Sequence, residues 1–202
     1  MIRSFGDSRT EALFRDQVVS DFQGIAHRAK RKLEAINAAS RLSDLAVPPS
    51  NRLERLRGDL RGFYSIRIND QWQVTSGGPT ATRPRSKSWI TTESSIDDRT
   101  RRDERRRICA GHLGEMLKDK FLAEYRLSQS RLARAVGISP NRIAEIVNNR
   151  RRITADTALR LSLYFGSSPE FWMNLQTHYD LKMARRNLKP EEVERIKALR
   201  AA

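Results

Sequence analysis

At 202 residues the chain has room for one large domain or two small ones, and its formal charge of +15, with a pI near 10.9, favours a polyanionic partner, because each Lys or Arg facing a phosphate releases condensed counterions. No apolar run approaches the ~20 residues of a membrane span, and no apolar signal stretch follows Met1, so a cytoplasmic protein without membrane contact is expected. The one cysteine, Cys109, excludes an internal disulfide framework; His27, His112 and His178 lie too far apart to suggest a zinc site, so neither a metal nor another cofactor is expected. Taken in order, Met1–Phe5 has strand character. Ile25, Ala29, Leu33 and Ile36 recur at helical spacing among Arg28, Lys30, Arg31 and Lys32, which predicts a basic amphipathic helix with its charged face in solvent. Pro48 and Pro49 end the helical region. Residues 52–57 and 63–68 then alternate like strands about the turn Gly58–Gly62, and Asn69-Asp70 turns the chain toward Trp72.

Two stretches here, Arg52-Leu-Glu-Arg-Leu-Arg-Gly-Asp59 and Gly62-Phe-Tyr-Ser-Ile-Arg-Ile-Asn-Asp-Gln-Trp72, resemble the HigB-type toxins of the RelE-like superfamily. The resemblance covers about residues 1 to 72. It implies an α+β fold and ribosome-dependent mRNA cleavage, with basic side chains on the RNA phosphate and a histidine close to the toxin's C-terminus. Arg67 matches a basic residue of the toxin cleft. After Trp72 the family has arginine where this chain has Gln73, and an amide cannot balance charge developing on a scissile phosphate as a guanidinium does. Catalytic activity is therefore not expected.

From Thr75 to Ser95 the composition shifts to Ser, Thr, Gly, Pro and Arg, with Trp89 and Ile90 as the strongly apolar residues, as in a flexible linker. A sharper reading is that the stretch is an out-of-frame version of the toxin's missing strands: regrouping the codon bases of residues 89 to 92 one position earlier permits Val-Asp-Tyr-His, an ending typical of HigB toxins. A sheet so truncated would expose an unpaired edge, leaving residues 1–75 partly ordered at best. The run Asp97–Arg107 reads as a solvated charged arm.

Beyond it, Leu113, Leu117 and Phe121 share one helical stripe. Ser128 then caps a helix with Leu132, Ala133 and Val136 on its inner face, and Gly137 stops it. Ser139 caps the next, Pro140 occupies its first position, and Ile143, Ile146 and Val147 face inward. Two short helices meeting at a glycine turn are a helix-turn-helix signature, although the same spacing also suits a plain helical hairpin. The outer face offers Asn141, Arg142 and Glu145, with Asn148 a turn later, where a recognition helix meets base edges. Arg150, Arg151 and Arg152 follow in a loop suited to phosphate. Thr154 caps a helix with Ala158, Leu161, Tyr164 and Phe165 pointing inward before Gly166; Ser168-Pro169 opens another with Trp172, Leu175 and Tyr179; a last helix spans Pro190 to Leu199.

The residues His112-Leu-Gly-Glu115, Gly137–Ile143, Glu145–Asn148, Arg151–Leu161 and Tyr164–Leu175 are similar to the HigA-type antitoxins within the Xre, or Cro/repressor-type, helix-turn-helix family. The likeness covers about residues 108 to 187. Leu113 departs from it, where the family commonly has proline. The resemblance implies a homodimer that binds operator DNA of its own operon and neutralises a HigB-type toxin, with Gln129 at phosphate and Ser139, Asn141, Arg142 and Glu145 at or beside the bases. The expectation is a mainly α protein: a five-helix helix-turn-helix domain (108–202), preceded by a disordered linker and charged arm (76–107) and an incomplete α+β RelE-like remnant (1–75). The competing expectation is a fused toxin–antitoxin with a live nuclease, against which stand Gln73 and the lack of any histidine between His27 and His112.

Overall fold

Helix α2 (Ala26–Ala38) is the pillar against which both halves of the molecule pack. The computed structural model describes residues 2, 4–77, 87–92 and 113–201; the charged arm, Cys109 and His112 lie outside the described residues. One face of α2, with Ala29, Leu33 and Ile36, joins Leu13, Phe22, Ile66, Val74 and Ile90 in a first core. Ahead of α2 come β1 (Ser4–Phe5) and α1 (Ser8–Phe14). The Asp7 carboxylate caps α1 by accepting from the Thr10 backbone N–H at 2.8 Å. After α2, the short helix α3 (Leu42–Ala46) leads to β2 (Glu54–Arg55), β3 (Phe63–Arg67), β4 (Trp72–Gly77) and β5 (Lys87–Thr92).

These strands form one five-stranded sheet in the order β1-β5-β4-β3-β2, antiparallel except for the parallel β1–β5 pair. Part of the stretch read as a linker is therefore a sheet strand, and the expected unpaired edge is absent: β5 covers β4 along Trp72↔Thr92 to Ser76↔Ser88 and is itself flanked by β1. The Ile90 side chain enters the first core, and its backbone N–H donates to the Thr10 hydroxyl at 3.1 Å, tying β5 to α1.

The second half is helical. Helix α4 (Leu113–Met116) runs on into a π-helical turn, Leu117–Leu122, and is followed by α5 (Gln129–Val136), α6 (Pro140–Val147), α7 (Ala155–Phe165), α8 (Pro169–Asn187) and α9 (Pro190–Ala201). Each of α5 to α8 starts at a Ser or Thr whose hydroxyl accepts from a backbone N–H three residues on, as the unpaired donors of a first turn require. Leu117, Phe121, Leu132, Ile143, Ile146, Leu161, Phe171 and Trp172 form the second core. Phe171 and Trp172 are both enclosed there. Tyr164, expected to point inward, is exposed instead: Leu161 and Phe165 are one turn apart and take the inner face, which turns their neighbour outward.

Of the charged residues of α2, Arg28 is in solvent as expected, but the three that follow it are not. Lys30, Arg31 and Lys32 are all buried: Lys30 donates to the Phe14 carbonyl and pairs with Asp16, Lys32 donates to Asn51, and Arg31 donates to Asp119 in the π turn, while α8 packs on the same helix and Ala38 belongs to the second core.

Candidate nucleic-acid interface

A backbone that turns sharply after α5 sets up the exposed end of α6. Gly137 has φ +67°, a left-handed conformation open to glycine at no steric cost, and its N–H and those around it close on the carbonyls of α5. Arg160 on α7 secures this corner by donating from Nη1 to the Val136 carbonyl at 3.0 Å, while its Nε donates to Asp156 at 2.9 Å. That role was missed in the sequence; the spacing of Asp156 and Arg160 by four residues is its one local sign.

The opposite end of α6 is braced by α4. A Cβ on Gly114 would lie 2.3 Å from the Val147 carbonyl oxygen and 2.4 Å from that of Ile146, so only glycine permits this approach. The Gly114 N–H donates to Asn149 Oδ1 at 3.0 Å, and Asn149 itself is left-handed at φ +57°.

The residues picked out for DNA contact fall into three settings. Ser139 and Asn141 are exposed at the start of α6, with Asn148 at its far end and Arg150 beyond. Gln129 opens α5, half-buried. The remainder are paired: Arg142 Nη2 donates to the Thr154 hydroxyl at 2.9 Å and Nη1 lies 3.8 Å from Asp156, while its Nε is enclosed without a hydrogen-bond partner among the described residues. Arg151 Nε donates to Glu145 at 2.5 Å, and Arg152 Nε lies 3.6 Å from Asp180 with its side chain largely in solvent. One rim of the molecule thus carries a helix N-terminus with its partial positive charge, a short exposed amide, and three arginines in the following loop, a combination suited to a phosphate backbone with base edges behind it.

In the first half, the sheet register sets Arg67 opposite Gln73, and Gln73 opposite Thr91. Arg67 Nη1 lies 3.3 Å from Asp70. The three positions form a row across the sheet that supplies one guanidinium and, at the other two places, an amide and a threonine.

Comparison with known proteins matches residues 3–76 to the model described as RelE-like toxin of type II toxin-antitoxin system HigB, and residues 117–172 to the model described as Helix-turn-helix. The chain is 55% identical over 73 residues to Virulence-associated protein I of Dichelobacter nodosus, covering 36% of this chain and 68% of that protein. It is 37% identical over 87 residues to Antitoxin HigA-1 of Vibrio cholerae, covering 43% of this chain and 81% of the antitoxin. It is also 52% identical over 44 residues to Toxin HigB-1 of the same organism, covering 22% of this chain but only 46% of the toxin.

Proposed function

Because the chain belongs, through its second half, to the HigA-type helix-turn-helix antitoxins and carries a HigB-like RelE toxin domain in front, we propose that it is a sequence-specific DNA-binding antitoxin that represses its own operon and engages a HigB-type toxin fold. The observation that carries this reading is the Ser139-capped start of α6, with Asn141 exposed on it and Arg150 to Arg152 close by. Residues 1–75, with the 76–107 connection, stand as a toxin remnant, and 108–202 as the DNA-binding domain. Asn141, Arg142 and Glu145 address bases from the major groove, and Asn148 lies a turn behind them. Gln129 and the loop arginines hold phosphates, and Ser139 fixes the approach of the helix end.

The active form is a homodimer in the cytoplasm, held on the nucleoid by operator DNA. Leu159 and Leu163 on α7 are large apolar side chains left in solvent and give a second copy a surface to cover. No helix among the described residues is long and apolar enough to cross a membrane.

The toxin-like half is proposed to be inert as a nuclease. Support comes from the row Arg67, Gln73, Thr91, which offers no imidazole and one guanidinium, too little to take a proton and stabilise a phosphorane together. Repression of a reporter placed behind the chain's own upstream DNA, lost on Asn141→Ala, tests the DNA-binding reading; repression that persists undiminished in Asn141→Ala contradicts the assignment to α6. RNA cleavage by the purified full chain on translating ribosomes would refute the inert remnant.

A further inference from the structure

The junction between the halves is lined almost wholly by groups that satisfy one another. Asp16 receives Lys182 at 2.8 Å, Lys30 at 3.2 Å and Arg186 at 3.5 Å, and Lys182 also lies 3.9 Å from Glu34. Burial alone would push the Asp16 carboxyl up, but Lys182 and Lys30 outweigh it and hold it below the usual range. Asp44 accepts from both the N–H and the hydroxyl of Ser168, each at 2.7 Å, at the very start of α8. Arg31 donates to Asp119 at 2.7 Å, Asn174 donates to the Ala38 carbonyl at 2.8 Å, and Ala35, Ala38 and Val47 pack into the second core. These contacts fall on α4 with its π turn and on α8, behind the helix-turn-helix pair, rather than on α5 or α6.

We infer that the face of the second half formed by α8 and the π turn is its toxin-binding face and is filled by the chain's own HigB-like half, so that the intact protein binds DNA while excluding a free HigB-type toxin. The inference rests on the antitoxin reading above. Its physical basis is that the junction sets Lys182 and Arg186 of α8 against Asp16, Lys182 also near Glu34, Asp119 against Arg31 and Ser168 against Asp44, so that parting the halves would take these partners from charged groups on both sides. A second HigB-like domain finds those donors and acceptors already taken. The DNA-facing rim stays open in the same arrangement.

The test uses the full chain and purified Toxin HigB-1 of Vibrio cholerae, a relative 52% identical to this chain over 44 residues. Asp16→Lys with Glu34→Lys sets cations against Lys182 and Arg186 and opens the junction from the toxin-like side, leaving α8 itself unaltered for the free toxin. In calorimetric titrations the unaltered chain takes up no toxin, whereas the opened variant gains at least about tenfold in affinity. Retained binding of its upstream duplex by the variant, within about threefold, certifies that the second half is still folded. Equal toxin binding by both chains overturns the inference, since the face would then be open or elsewhere. Toxin binding by neither overturns it too, because the covered face would not be a HigB-binding one; DNA binding retained in that case leaves the repressor reading intact, and DNA binding absent from the unaltered chain removes that reading separately. Asp44→Ala, which deletes the two bonds to Ser168 together with those from the Ser40 and Arg41 N–H groups at the start of α3, is the second variant and, altering the first half alone, opens the same face to a smaller degree.

Discussion

The guanidinium of Arg142 is committed in the protein without DNA: Thr154 and Asp156 hold it at the start of α7, and Glu145 is likewise held by Arg151. Reading bases therefore means exchanging these exposed pairs for contacts to DNA, which is affordable because ion pairs of this kind contribute little in water. Arg142→Ala is expected to cost about 1–3 kcal/mol on the operator and to relax sequence preference, whereas Arg151→Ala weakens all duplexes alike and lowers the salt slope by about one unit. Anisotropy titrations on operator and shuffled duplexes at two salt concentrations separate the two; the reverse pattern contradicts the assignment. At the same scale, Lys32 is 3% exposed, and burial first, then Lys120, pushes it down to about 7 from the ordinary lysine value of 10.5. Between those values the unfolded chain holds the proton and the folded one has released it, so stability rises with pH, by at most about 1.4 kcal/mol per unit from this group; below about 7 both states are protonated and the full penalty of burying the charge persists. Urea unfolding at pH 7 and 9 should show the rise, and Lys32→Met should flatten it. A rise unchanged in that variant would assign the effect to other groups.

Among the elements, α4 and α6 meet where no side chain fits. Gly114→Ala forces a methyl against two backbone carbonyls at the C-terminal end of α6 and is expected to cost about 1–3 kcal/mol, as overpacking does, with a lower melting temperature and weaker DNA binding together; an unchanged melting temperature would contradict the close approach. The boundaries of α5 to α8 were legible in the sequence because their signals are local: Ser128, Ser139, Thr154 and Ser168 cap, Pro140 and Pro169 follow, and Gly137 and Gly166 stop. Strand β5 was not, since its partners lie at residues 4–5 and 72–76 and its own composition is that of a linker. The exposed start of α6 could be read from periodicity, but the partner of Arg142 is twelve residues away on another helix, beyond what spacing within one helix reveals.

For the molecule as a whole, the decisive misfit is α2. Its basic face looks solvated because most of the groups that meet it are remote in sequence: the Phe14 carbonyl and Asp16 for Lys30, Asn51 for Lys32 and, from the other half of the chain, Asp119 for Arg31, with Glu34, one turn on from Lys30, as a local sign. Shared packing of this kind couples the halves. Far-UV circular dichroism, which follows the backbone, and fluorescence, which reports through Trp72 and Trp89 in the first half and Trp172 in the second, should follow one coincident urea transition, and two separated transitions would show the halves to be independent. The basic balance of the chain and its open helix-turn-helix rim converge on duplex DNA. The most direct measurement is an anisotropy titration of the full chain against its own upstream duplex and a shuffled duplex of equal length at about 0.15 M salt: the account predicts preference for the upstream duplex by a factor on the order of 10³ or more, and equal affinity for the two would contradict it.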